Sequence, residues 1–115
     1  MAIGLNIVVE EAGDKSILRL EGRIDAVTSS SLEREISHLV ETGHRKILLD
    51  FLKVDYLSSA GMRLFLSASK KLKAHQGFLL FFNLEDDVMD IIKVAGFERI
   101  LRIYPNELEA LKVEE

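Results

Sequence analysis

Residues 47–63 read ILLDFLKVDYLSSAGMR. Ile47-Leu48-Leu49, followed by Asp50-Phe51, is an apolar run without alternation and too short for a helix. Such a run is expected of a strand covered on both faces. Beyond it, Leu64, Phe65, Ala68 and Leu72 can line one face of a helix that starts near Ser59 or Ala60 and continues to residue 74. Val54-Asp55-Tyr56-Leu57-Ser58-Ser59-Ala60-Gly61-Met62-Arg63 is therefore a strand-to-helix junction carrying two adjacent hydroxyls, an alanine and a glycine.

Working outward, residues 5–9 and 16–20 mix apolar and polar side chains, and Glu11-Ala12-Gly13-Asp14 between them has turn chemistry. A β-hairpin is expected there. Residues 28–42 place Leu32, Ile36, Leu39 and Val40 at i, i+4, i+7 and i+8, one helical stripe, with Thr28 and Ser29 as capping candidates and Gly43 as the stop. The strand over 46–51 and the helix after it follow. Gly77 precedes a second apolar strand, residues 78–82. Asn83 is the expected N-cap of a third helix, with Glu85, Asp86 and Asp87 in a first turn where the helix dipole favours acids. Val88, Ile91, Ile92 and Ala95 supply its apolar face, and Gly96 closes it. A short strand over 99–103 and a last helix starting at Pro105, with Leu108 and Leu111 inward, complete the chain. The order ββαβαβαβα predicts a single α/β domain over residues 1–115, a mixed four- to five-stranded sheet with about four helices packed on it. The strands over 47–51 and 78–82 are expected at its centre.

Composition narrows the function. With 115 residues the chain can bury an ordinary core, and with no cysteine it has neither disulfides nor thiolate metal sites. The net charge of −4 disfavours a nucleic-acid binder, and Lys70, Lys71 and Lys73 on a helix read as a solvated face. Met1-Ala2-Ile3-Gly4 has neither a basic n-region nor a long apolar h-region, so no leader is expected. No apolar run approaches the roughly 18 residues of a membrane span. A cytoplasmic protein is the expectation.

The junction serines admit three roles: nucleophile, cap or site of modification. A nucleophile elbow needs G-x-S-x-G; Gly61 stands two residues after Ser59, but Leu57 stands two before it. None of the three histidines, His38, His44 and His75, falls where a general base is expected, and no H-x-x-H or H-E-x-x-H spacing offers a metal site. Gly22, Gly61 and Gly77 are too scattered for a phosphate-cradling loop. Either serine can cap the helix, accepting from a first-turn N–H. The small neighbours also leave N–H groups open at a positive helix end, where an anion or a phosphate on the hydroxyl itself can sit. Met62 reads as core or, if exposed, as partner surface. Arg63 reads as an exposed helix residue or a partner for a phosphoserine. Asp25 reads as a cap or a partner contact.

Several segments in order resemble the STAS domain of bacterial anti-sigma factor antagonists. Leu20-Glu21-Gly22-Arg23-Ile24-Asp25 resembles the family's L-x-G-x-[IL]-D signature, and Asp50 through Gly61 resembles its central segment. Val94-Ala95-Gly96-Phe97 and Asn106-Glu107-Leu108-Glu109-Ala110-Leu111 resemble its last two motifs. Aligned on Gly61, the family's phosphorylatable serine falls on Ser59. The residue before it, often aspartate in the family, is Ser58, which makes Ser58 a minor alternative acceptor. The residue after it, often a second serine, is Ala60.

The resemblance implies a partner switch with no catalysis and no cofactor or metal of its own. The unphosphorylated protein binds an anti-sigma factor that is also a serine kinase, and the sigma factor is released. Phosphorylation at Ser59 ends the complex, and a serine phosphatase resets it. The expected partner-binding residues are Asp25, Asp55, Ser58, Ser59, Met62 and Arg63, with no direct contact to nucleic acid or membrane. The alternative within the family is a STAS scaffold or small-ligand-sensing subunit of another signalling complex.

Overall fold

The computed structural model describes residues 4–115. Met1-Ala2-Ile3, most of the segment read for a leader, lie outside the described residues. The elements are β1 (Leu5–Ala12), β2 (Lys15–Ile24), α1 (Thr28–Glu41), β3 (Lys46–Leu57), α2 (Ser59–Ala74), β4 (Phe78–Phe82), α3 (Asp86–Val94), β5 (Arg102–Tyr104) and α4 (Glu107–Leu111). They form one five-stranded sheet in the order β1-β2-β3-β4-β5. β1 and β2 are the antiparallel hairpin, and β2 through β5 run parallel. β3 and β4, the two apolar runs, lie inside the sheet as the sequence predicts.

Alternation along the strands divides the core. Leu18, Leu49 and Phe81 face one side, where the stripes of α1, α2 and α3 cover them. Phe51, Phe65 and Phe81 meet edge to face at the centre of that layer, with centroids 4.9–5.8 Å apart. Ile17, Leu48, Leu80 and Phe82 face the other side and pack on Ala110 and Leu111 of α4. Arg19 ties α4 to that face through Glu107 at 2.6 Å and Asp50 at 2.9 Å. α1 buries the predicted stripe and ends at Gly43, where Gly43 N–H donates to Val40 O and His44 N–H to Leu39 O.

Four expectations need correction. β3 does not stop at Phe51 but continues to Leu57. Two register shifts against β2 each add a residue to β3, one between the Arg19–Asp50 and Glu21–Lys53 pairs and one between the Gly22–Val54 and Arg23–Tyr56 pairs. The inward residues after Phe51 are therefore Val54 and Leu57, a spacing of three in place of the strand's two. Asn83 does not cap α3: the N-cap position is Glu85, and Asn83, at φ 62°, donates its side-chain amide to Asp50 Oδ1. β5 is shorter and later than residues 99–103, because Ile100 and Leu101 N–H both turn back onto the Phe97 carbonyl. Leu108 is 65% exposed; the inward residues of α4 are Ala110 and Leu111, and its cap is Asn106, which follows Pro105.

Gly22, at φ 126°, stands where β2 enters the second shift, and a Cβ there would lie 2.1 Å from the Gly4 carbonyl oxygen. Backbone conformation and backbone contact both exclude a side chain. Gly22→Ala is expected to destabilise the protein by about 1–3 kcal/mol or more, read as a lower urea midpoint at unchanged slope. An unchanged midpoint would show that the β1–β2 corner yields freely.

Candidate functional site

The ends of β2 and β3 lie side by side. Ile24 pairs with Leu57, and the Ser58 N–H donates to the Ile24 carbonyl at 2.8 Å. Asp25, which follows β2, and Ser58 and Ser59, which follow β3, are thereby brought to the same corner of the sheet. The two serines differ in their bonding. Ser58, in extended conformation, is the N-cap of α2, and its Oγ accepts from the Gly61 N–H at 3.2 Å. Ser59 is the first helical residue and is exposed, with no part in the cap. Gly61 has a packing reason: a Cβ there would lie 2.7 Å from both Ile24 Cγ2 and Leu57 Cδ1. Only a glycine lets the first turn of α2 settle onto the strand ends without displacing those side chains.

Across the corner, Asp25 caps α1. Its Oδ1 accepts from the Val27 N–H at 3.0 Å and the Thr28 N–H at 2.9 Å. Thr28 returns the bond, its Oγ1 accepting from the Asp25 N–H at 2.9 Å and donating to the Arg23 carbonyl at 2.7 Å. The Thr28 N–H, above all, holds the Asp25 carboxyl below the usual carboxylate range, against a smaller opposing effect of desolvation. Asp25 is thus ionised at neutral pH, with Arg23 as its counter-charge. Of the capping candidates on α1, Thr28 acts as the support for Asp25, and Ser29 donates to the Ala26 carbonyl.

The remaining site residues fall into two groups. Asp55 is exposed and is the extra residue of the second shift in β3. Arg63 is exposed one helical turn beyond Ser59. Met62, by contrast, is only 5% exposed and packs in the main core, so it does not present the open methionine surface that its position suggested. Sequence reading missed Arg23 and Tyr56 as a pair. The Arg23 guanidinium lies 4.5 Å above the Tyr56 ring, and its Nε is 3.5 Å from Asp25 Oδ2. Their registration, Arg23 opposite Tyr56, depends on the second shift and so has no signal in the spacing of either strand.

The histidines lie away from Ser59. His38 is in the last turn of α1, His44 follows that helix, and His75 is the C-cap of α2. At 1.5 Å per residue, the length of α2 separates His75 from Ser59 by about 24 Å. The corner offers an exposed hydroxyl at a helix N-terminus beside a fixed carboxylate, but no imidazole to activate it. Among the described residues, no helix is long and apolar enough to cross a membrane.

The sequence family described as the STAS domain matches residues 6–110. BtrV of Bordetella bronchiseptica, named as a candidate anti-sigma factor antagonist, is 31% identical over 101 residues, covering 88% of this chain and 84% of that protein. The crystal structure of an anti-sigma factor antagonist from Mycobacterium paratuberculosis superposes with a TM-score of 0.83 at 24% identity, covering 93% of this chain and 91% of the other. The Bacillus cell-fate determinant SpoIIAA, an anti-sigma factor antagonist, is similar in fold in both its solved forms. Its unphosphorylated form has a TM-score of 0.72 and covers 92% of this chain and 94% of that one. Its phosphorylated form has a TM-score of 0.69 and covers 92% and 96%, with 20% identity in each case. The match across nearly the whole sheet and its helices, together with the relationship to BtrV, places this chain in the STAS-domain family of anti-sigma factor antagonists, which are regulatory binding proteins and not enzymes.

Proposed function

We propose that this protein is the phosphorylation-controlled member of a partner switch. Unphosphorylated, it binds a cytoplasmic anti-sigma factor that is also a serine kinase, and the sigma factor is freed. The kinase then modifies Ser59, the complex dissociates, and a serine phosphatase restores the binding form. The partner meets the corner made by Asp25, Asp55, Ser58, Ser59 and Arg63, with the edge of Met62 beneath. The observation that carries this reading is the division of labour between the serines: Ser58 is committed to the cap, and Ser59 is exposed and uncommitted.

The electrostatics of the corner support both halves of the switch. A phosphate adds about −1.5 to −2 charges. At the first residue of α2 the helix dipole and the first-turn N–H groups favour it, so the fold tolerates the modification. A partner that fits a neutral hydroxyl must desolvate that charge beside the ionised Asp25. A poorly paired charge at an interface costs roughly 2–5 kcal/mol, about thirty- to several-thousand-fold in affinity.

Three substitutions separate the roles. Ser59→Ala is expected to abolish phosphate incorporation by the cognate kinase, read by intact-mass spectrometry, with a change in stability within about 0.5 kcal/mol. Ser58→Ala is expected to retain incorporation but lose about 1 kcal/mol of stability, the usual worth of a serine cap. Full incorporation at Ser58 in the Ser59→Ala protein would contradict the assignment. Ser59→Asp is expected to keep a native-like thermal transition and to bind the anti-sigma factor at least about tenfold more weakly in calorimetric titration, a difference of about 1.4 kcal/mol. Equal affinity would make Ser59 an ordinary helix residue.

A further inference from the structure

At the edge of the sheet opposite β1, β5 starts late. β4 begins at Phe78, but β5 pairs only with Leu80, Phe81 and Phe82. The segment before β5 leaves the gap open, because the Ile100 and Leu101 N–H groups turn back onto the Phe97 carbonyl. Beside Phe78 and Leu79 lies a hollow of about 370 Å³. Its apolar lining comes from Phe78, Leu79 and Ile100, and its cations are Lys73 of α2 and Arg102 of β5. The hollow lies where the parallel strands start, and the serine corner lies where they end. Along α2, Lys73 stands about 21 Å from Ser59.

The Arg102 guanidinium is held ready for an anion. It lies 5.5 Å from the centroid of the Phe78 ring, and its Nη2 donates to the Tyr104 hydroxyl at 3.1 Å. Both supports are strand residues, so the donor fork is oriented before any ligand arrives. The chain supplies an occupant of its own: Glu115 Oε1 accepts from Nη1 at 2.7 Å and Oε2 from Nη2 at 3.2 Å. Arg102 in turn holds the Glu115 carboxyl below the usual carboxylate range, so this occupant is an anion at neutral pH. Glu115 is exposed, and an exposed pair of this kind is weak and open to exchange.

We propose that this hollow binds a small organic carboxylate with an apolar body, and that Glu115 occupies the carboxylate position until the ligand displaces it. The carboxylate pairs with the Arg102 fork, and Lys73 adds a second positive charge. The apolar body lies along Phe78, Leu79 and Ile100, a surface that a bare inorganic anion cannot use. The site is separate from the serine corner, so the failure of either reading leaves the other standing.

The test titrates hexanoate into the full chain and follows the Arg102 side chain and the Phe78 and Leu79 amides by NMR. Sulfate and hexanol are the comparison probes, for charge alone and for an apolar body alone. Hexanoate is expected to saturate, to shift those signals and not those of Ser59, and to bind more tightly than either comparison probe. Arg102→Gln is expected to weaken it at least about tenfold, and Lys73→Gln about two- to fivefold. Lys73 is exposed on its helix, so its variant carries the test if Arg102→Gln lowers the thermal transition. Glu115→Gln is expected to tighten binding about two- to fivefold, because the competing carboxylate is gone. Glu114→Gln makes the same change of net charge one residue away, where the carboxylate faces Lys15 at 3.8 Å, and is expected to leave the affinity unchanged. Failure of hexanoate to saturate in both the unmodified and the Glu115→Gln proteins would overturn the proposal. So would equal affinity for sulfate, which would reduce the site to a pair of surface cations. Equal tightening by Glu114→Gln would overturn the displacement of Glu115 and leave only a bulk charge effect.

Discussion

One backbone hydrogen bond, from the Ser58 N–H to the Ile24 carbonyl at 2.8 Å, fixes the corner on which the rest of the site depends. It joins the ends of two parallel strands at the point where each gives way to a helix. Parallel strands cannot be closed by a short turn, so both helices must start at the same edge of the sheet. The bond then sets their relative position. Asp25 caps one helix and Ser58 caps the other, each through its own side chain. Gly61 allows the second helix to sit directly on Ile24 and Leu57. With both caps filled, Ser59 is left facing solvent at the start of α2.

The consequence is a site whose chemistry is separated from its support. Asp25 and Ser58 spend their oxygens on the backbone, which holds the two first turns in place. Ser59 contributes nothing to that support. On the proposed function, the switch is then a change of surface electrostatics on a rigid corner, with no conformational step in this protein. On that proposal the ionised Asp25 also has a part. Its charge is stabilised by α1, and it adds to the repulsion once a second anion appears nearby.

Much of this was legible in the sequence where the residues obey simple periods. The stripes of α1 and α2, the two covered strands and the hairpin follow from spacing alone. What was not legible is what the two register shifts hide. After Phe51 the inward residues are Val54 and Leu57, which fit neither a strand's period nor a helix's, so the second half of β3 read as a junction. The Arg23–Tyr56 stack is lost for the same reason. Asn83 preceded acids as a cap would, yet its amide goes to Asp50 on the neighbouring strand, a pairing that only the parallel register of β3 and β4 creates. At the serines, spacing left capping and modification open together. The structure gives the cap to Ser58 and leaves Ser59 exposed, because cap geometry distinguishes two adjacent residues that composition cannot.

The central claim is that Ser59 can take a dianion without any rearrangement of the corner. Amide hydrogen exchange of the stoichiometrically phosphorylated protein, compared residue by residue with the unmodified one, tests this most directly. The protection of Ser58 N–H on Ile24, of Gly61 N–H on Ser58 and of the β2–β3 ladder is expected to be unchanged or raised, with differences confined to the first turn of α2. Loss of protection at Ser58 and Gly61, spreading into β3 or α1, would contradict the account and make the switch a conformational one.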